Sequence, residues 1–186
     1  GTFSSNVGRK ARALSIVPDY RVAIGLDITP HHISMVSADL NGSIIDHVRE
    51  KFDLNVSDDC CNRLAEKIRG FIRKNEISEE KILGMGIAIP GIISFDRKEF
   101  ISAETMPISR DFCEKLQQYF SFPCHLFNDA SCAGVAEFWK KDYTDQNIAY
   151  LLLSNTVGGS ILVDGKPFAG MGNRSAEFGH ITIVPD

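Results

Sequence analysis

Two short segments hold residues whose types and spacing suit chemistry. In Phe127-Asn128-Asp129-Ala130-Ser131-Cys132 a carboxamide and a carboxylate stand side by side. They fall where an apolar run, Cys124 to Phe127, gives way to small residues. A carboxylate at a strand end beside a helix N-terminus can act as a base or receive a hydrogen bond from a hydroxyl. It can equally cap the helix, since its oxygen accepts the orphan N–H groups of the first turn. In Glu177-Phe178-Gly179-His180 a second carboxylate and an imidazole stand three positions apart. Taken alone, Glu177 also reads as a surface charge and His180 as a strand-initial histidine. A third carboxylate, Asp27, sits near the end of the apolar run Val22 to Ile28.

The elements that must position these residues can be read from hydrophobic period. Val22 to Ile28 is a compact strand. His32 to Leu40 and Ile44 to Phe52 flank Asn41-Gly42, a two-residue hairpin signal. Asp58 to Lys74 reads as a helix, because Leu64, Ile68, Phe71 and Ile72 fall on one stripe. Leu83 to Ile89 is a buried strand closed by Pro90-Gly91. A helix near Ser109 to Phe120 follows, then a strand over Cys124 to Phe127 and a helix over Ala130 to Lys141. Ile148 to Leu153, Ser160 to Val163, a strand from Lys166 and a last strand, His180 to Val184, begin a second unit. An antiparallel hairpin feeding parallel βαβ strands predicts an α/β fold with a mixed sheet and flanking helices. The expected divisions are a linker over 1–20, a first lobe over 21–145, and the beginning of a second lobe over 146–186.

Composition narrows the setting. A net charge of −4 gives no overall attraction to nucleic acid or anionic lipid. No apolar run approaches the roughly 20 residues that span a bilayer, so no membrane partner is expected. Cys60, Cys61, Cys113, Cys124 and Cys132 include no C-x-x-C pair. They read as small buried hydrophobes in a reducing cytoplasm.

The order of motifs adds a resemblance. Asp27 is followed by the Asn41-Gly42 hairpin, then by Gly84-Met85-Gly86-Ile87-Ala88-Ile89-Pro90-Gly91 and by Asn128-Asp129-Ala130. Ser154-Asn155-Thr156-Val157-Gly158-Gly159-Ser160 and Ala176-Glu177-Phe178-Gly179-His180 come next. From Val22 onward the chain resembles the ROK family of repressors, open reading frames and sugar kinases. The resemblance implies a two-lobed actin-like, hexokinase-like (ribonuclease H-like) fold with a sugar cleft between the lobes. Asp129 would receive a sugar hydroxyl and, in a kinase, act as general base. Asn128 would bond a neighbouring hydroxyl, and Glu177 and His180 would approach from the second lobe. Gly91 and Glu104 would line the ligand side. A sugar presents hydroxyls, so carboxylate, amide and imidazole partners supply its specificity. In many relatives the counterpart of His180 binds a structural zinc with three downstream cysteines. No such cysteines lie within these 186 residues, so no metal and no cofactor are expected in this chain, and the expectation leaves a structural zinc through His180 open for the full-length protein.

Departures from the kinase pattern shape the functional expectation. Kinases of the family carry an Asp-x-Gly-Gly-Thr-Lys-like loop, whose glycines let backbone N–H groups approach phosphates. Here the segment reads Asp27-Ile28-Thr29-Pro30-His31-His32, and Pro30 removes a donor. The second phosphate loop keeps only Gly158 and Gly159. Asp27, Thr29, Gly158 and Gly159 therefore form a degenerate nucleotide site. Glu104, in Ser102-Ala103-Glu104-Thr105-Met106-Pro107, stands where relatives often place an asparagine. Gly8-Arg9-Lys10-Ala11-Arg12 through Tyr20 looks like the linker that joins a helix-turn-helix to the sugar-binding part in the family's repressors. The expectation is a sugar-sensing effector domain of a transcriptional regulator, acting as a homo-oligomer and reaching DNA through a helix-turn-helix outside these residues. The alternative is an ATP-dependent sugar kinase with divergent phosphate loops.

Overall fold

The computed structural model describes residues 14–55, 57, 59–102, 106–140, 146–154 and 156–182. Glu104, the cations from Gly8 to Arg12 and Asn155 lie outside the described residues. A 3-10 turn, Pro18–Tyr20, leads into β1 (Val22–Ile28), β2 (His32–Asp39) and β3 (Ile44–Lys51). The expected hairpin forms, but its loop is longer than the Asn41-Gly42 pair alone. The Asp39 N–H donates to the Ser43 carbonyl, and Gly42 adopts φ +78°. The Asp39 carboxylate accepts from the Asn41 and Ser43 N–H groups at 2.8 and 2.9 Å. A short acceptor just ahead of the turn thus holds the bend.

α1 (Asp59–Lys74) buries Leu64, Ala65, Ile68, Phe71 and Ile72. β4 (Ile82–Ile89) follows, then the short strands β5 (Ile92–Ile93) and β6 (Phe100–Ser102). The β5–β6 hairpin escaped the sequence reading because two- and three-residue strands carry no measurable period. α2 spans only Phe112–Gln117 of the segment expected to be helical. β7 (Cys124–Asn128) runs directly into α3 (Asp129–Lys140), which starts one residue ahead of its expected position.

The first sheet has the order β3-β2-β1-β4-β7. β1, β4 and β7 are parallel, and β2 and β3 antiparallel. Alternate residues of β1, β2, β4 and β7 share one core with α1 and α2, and Leu26, Ile28, Met35, Ile87, Ile89 and Leu126 are almost wholly buried in it. Fully burying one such side chain contributes about 1.5–3 kcal/mol. The second sheet, β10-β9-β8, is antiparallel and is built from β8 (Ile148–Leu153), β9 (Val157–Val163) and β10 (Lys166–Pro167). β9 starts earlier than expected because Val157, Gly158 and Gly159 pair with Leu153, Leu152 and Leu151. α3 packs between the sheets, against β8 and β9 on one side and β4 and β7 on the other.

Of the strand expected over His180 to Val184, residues 180–182 are described and form no strand, and 183 and 184 lie outside the described residues. Phe178–His180 is a 3-10 turn. The His180 and Ile181 N–H groups donate to the Glu177 and Phe178 carbonyls, so donors a strand would send to a neighbour are used within the turn.

Candidate functional site

Parallel β1, β4 and β7 end on the same side of the sheet, and Asp27, Ala88 and Phe127 form one row across it. In open α/β sheets, ligands gather beyond the carboxyl ends of such strands. Here those ends deliver Asp27, Gly91, Asn128 and Asp129.

Asn128 closes β7 and caps α3. Its Oδ1 accepts the Ser131 N–H at 2.9 Å, the bond expected of an N-cap side chain to the third helical residue. Its Nδ2 donates to the Gly91 carbonyl at 3.2 Å. Gly91 has φ +131°, a conformation only glycine adopts readily. The cap reading offered by the sequence thus applies to Asn128. Asp129 is the first helical residue, and its Oδ1 accepts the Ala130 N–H at 2.8 Å.

Burial raises the pKa of the Asp129 carboxyl above its ordinary value. Burial also raises that of Asp27, and the charge of Asp129 adds to it; Arg49 and the Ser34 hydroxyl act in the opposite sense. The two carboxylates therefore share one electrostatic environment. Cys132, one turn along α3, belongs to it as well. Its thiol is pushed up to about 11, first by burial and then by Asp129 and Asp27, with Arg97 opposing. Arg97 lies over the Phe127 ring, 4.7 Å from its centroid. Neither Arg97 nor Cys132 figured among the candidate residues. Each becomes visible only when the β5–β6 hairpin and α3 are brought to the same strand ends.

The turn after Asp27 is closed upon itself. The Thr29 N–H donates to the His32 carbonyl at 2.9 Å, and the His32 N–H donates to Thr29 Oγ1 at 3.1 Å. The Pro30 and His31 carbonyls accept from Leu54 and Phe52 N–H groups. Pro30 has no N–H to offer. The backbone donors that would face a phosphate are thus engaged or missing at three of these four positions.

Gly158 and Gly159 serve close packing within β9. A methyl group at Gly158 would touch Ala130, the neighbour of Asp129, and one at Gly159 would strike the Phe178 ring. That contact seats the Phe178–His180 turn on β9. Glu177 and His180 flank it, exposed, with the imidazole Nε2 3.9 Å from Glu177 Oε2. No hydrogen bond or ion pair among the described residues joins Glu177 or His180 to Asn128 or Asp129. The segment is fastened elsewhere: Asn173 Nδ2 donates to the Ile93 carbonyl at 2.8 Å. Sequence reading passed over Asn173, although Gly170-Met171-Gly172-Asn173 marks a tight bend.

Among the described residues no group of three or more His, Cys, Asp or Glu side chains is placed to hold a metal ion. Cys60, Cys61, Cys113 and Cys124 are buried. Among the described residues His180 has Glu177 beside it and belongs to no such group. No helix among the described residues is long and apolar enough to cross a membrane.

Comparison with known proteins places this geometry in context. The model of a family described as the ROK family matches residues 23–186. The xylose repressor of Bacillus spizizenii is 26% identical over 184 residues, covering 98% of this chain and 48% of the repressor. The glucokinase of Halalkalibacterium halodurans is 27% identical over 169 residues, covering 88% of this chain and 50% of that enzyme. The crystal structure of a ROK family glucokinase from Streptomyces griseus, in complex with glucose and AMPPNP, superposes with a TM-score of 0.76 at 22% identity. It covers 89% of this chain and 52% of that one. The chain spans about half the length of the curated relatives it matches.

Proposed function

The chain belongs to the ROK family, and from that membership we propose that it forms the sugar-binding effector part of a transcriptional regulator. The observation that carries this reading is the closed Thr29–His32 turn. Phosphoryl transfer depends on positioning and on stabilising charge at the phosphates. A turn whose N–H groups are spent on its own carbonyl and hydroxyl offers little of either. The repressor match also reaches ahead of the family domain. Coverage of 98% leaves only a few residues of this chain unmatched, so most of residues 1–22 are included.

On this reading Asp129 accepts a sugar hydroxyl, and Asn128 presents its remaining amide hydrogen beside it. Gly91 lines the same side. Glu177 and His180 close over the sugar from the second sheet. Closure changes the relative placement of the two sheets and so the geometry of a DNA-binding pair of chains in the intact protein. The implied partners are a sugar, DNA through a helix-turn-helix of the intact protein, and a second copy of it.

One observation favours the sugar kinase reading. A buried carboxyl with raised proton affinity suits a general base for a hydroxyl. A single pair of measurements separates the two. Titration calorimetry of the intact protein against xylose, glucose and N-acetylglucosamine should show binding that Asp129→Asn removes. ADP release with the same sugars and ATP should stay at the blank rate. Sugar-dependent turnover lost in Asp129→Asn would replace the regulator reading by the kinase one. No heat with any of the three sugars would defeat both.

A further inference from the structure

Asn173 fastens the segment bearing Glu177 and His180 to the first sheet's side of the molecule. Its side-chain amide donates to the Ile93 carbonyl across 80 positions of sequence. Ile93 lies in β5, which pairs with β6 through Ile92–Ser102 and Ile93–Phe100. Two residues earlier, the Gly91 carbonyl takes the Asn128 amide, and Asn128 in turn caps α3 at Ser131. A continuous run of polar contacts and short backbone therefore joins the α3 cap to the Met171–Asn173 turn. Beyond Asn173 the chain is seated a second time, where Phe178 covers Gly159.

From just ahead of the first anchor point to the second, the backbone bends sharply. Gly170, Gly172, Asn173 and Ala176 all have φ between +57° and +66°. Asparagine tolerates that region better than most residues with a side chain. Its amide is also short enough to reach a carbonyl beside the bend. Among the described residues the Glu177 and His180 side chains make no hydrogen bond or ion pair to the first sheet; their one such approach is to each other. The Asn173 bond is therefore the tie that sets how far they stand from Asp129.

Resting on the sugar-binding reading above, we infer that Asn173 is a positioning residue for the ligand site. It touches no sugar itself. It latches the Glu177–His180 segment to β5, so that second-sheet groups meet a sugar held on Asn128 and Asp129. A sugar engaging both sides would tighten the latch, and a broken latch would leave only the Asn128 and Asp129 half of the site organised.

The test uses the intact protein with Asn173→Asp and Asn173→Gly. Both substitutions accept the left-handed backbone, and neither can donate to Ile93. The readouts are calorimetry with xylose, glucose and N-acetylglucosamine, deuterium exchange over residues 171–180, and trypsin cleavage after the exposed Arg174. We expect both variants to weaken binding of the preferred sugar by about tenfold, the loss of roughly one well-placed hydrogen bond. In the wild type the sugar should slow exchange over 171–180; in the variants it should protect only peptides around Asn128 and Asp129. Cleavage after Arg174 should quicken without sugar in both variants, while the melting temperature stays within a few degrees of the wild type. Unchanged affinity with sugar protection of 171–180 retained would overturn the latch. If no sugar binds the wild type, the ligand reading fails separately. The latch is then judged by sugar-free cleavage and exchange, and rates equal to the wild type would reject it.

Discussion

Asp129 keeps its proton to a higher pH than an exposed carboxylate because burial disfavours the charged form. A raised folded-state pKa sets the sign of the pH dependence. The contribution to stability is fully present below the unfolded value, near 3.8, and is lost as pH rises through the folded value. Asp27 acts in the same direction. Asp129→Asn should therefore melt at a higher temperature than the wild type at about pH 7, and the gap should shrink toward about pH 4. A gap that stays flat with pH would remove buried charge from the explanation. Asn128 works differently, since both ends of its amide are bonded. Asn128→Ala should cost about 1–2 kcal/mol in urea unfolding, from the lost cap and the orphaned Gly91 carbonyl. If it costs nothing, the cap is supplied by another group.

α3 is the element on which the site hangs, since it carries Asp129 at one end and packs between the two sheets. At Gly134 it lies so near β9 that a methyl group would collide with the Ser160 hydroxyl. In a free helix Gly134→Ala would gain about 1 kcal/mol. Here overpacking reverses the sign, and the substitution should cost about 1–3 kcal/mol. The Ser160 hydroxyl is buried with no hydrogen-bond partner among the described residues. Ser160→Ala should thus be neutral or stabilising by up to about 1 kcal/mol. The pair should not be additive, because removing the hydroxyl relieves part of the clash; a double-mutant cycle should give a coupling of about 1 kcal/mol. Stabilisation by Gly134→Ala alone would mean that α3 stands farther from β9.

At the scale of the whole molecule the two sheets meet through α3, while the Asn173 bond ties the Met171–Asn173 turn to β5 and the Phe178 contact seats the following turn on β9. A regulator must turn a small ligand into a change of shape, and a ligand shifts an equilibrium only by its differential affinity for the two states. Groups on both sides of a junction provide that difference. For the intact protein, anisotropy titration on its operator should show a sugar-dependent change in DNA affinity of about 5- to 150-fold, the ordinary range of such couplings. Asp129→Asn should bind DNA but lose the response. DNA binding that ignores every sugar bound by the wild type would leave the family membership intact and remove the sensing role.

Periodic patterns and ordered motifs determined the first sheet, the α1 stripe, the sugar-kinase-like fold and the family, because local hydrophobic period and short polar signatures survive in a linear string. Pro30 already marked the turn after Asp27 as short of one backbone donor. Other features depended on partners distant in the chain. That Asn128 rather than Asp129 caps α3 was decided by which oxygen reaches Ser131. That Asp27 feels Asp129 follows from parallel strands ending together. The turn at His180 replaced a strand because its donors bond within the turn. The tie from Asn173 to Ile93 has no sequence signature, because one partner is a backbone carbonyl that every residue possesses. Residue types set which groups are available, and only the packed chain sets which of them meet.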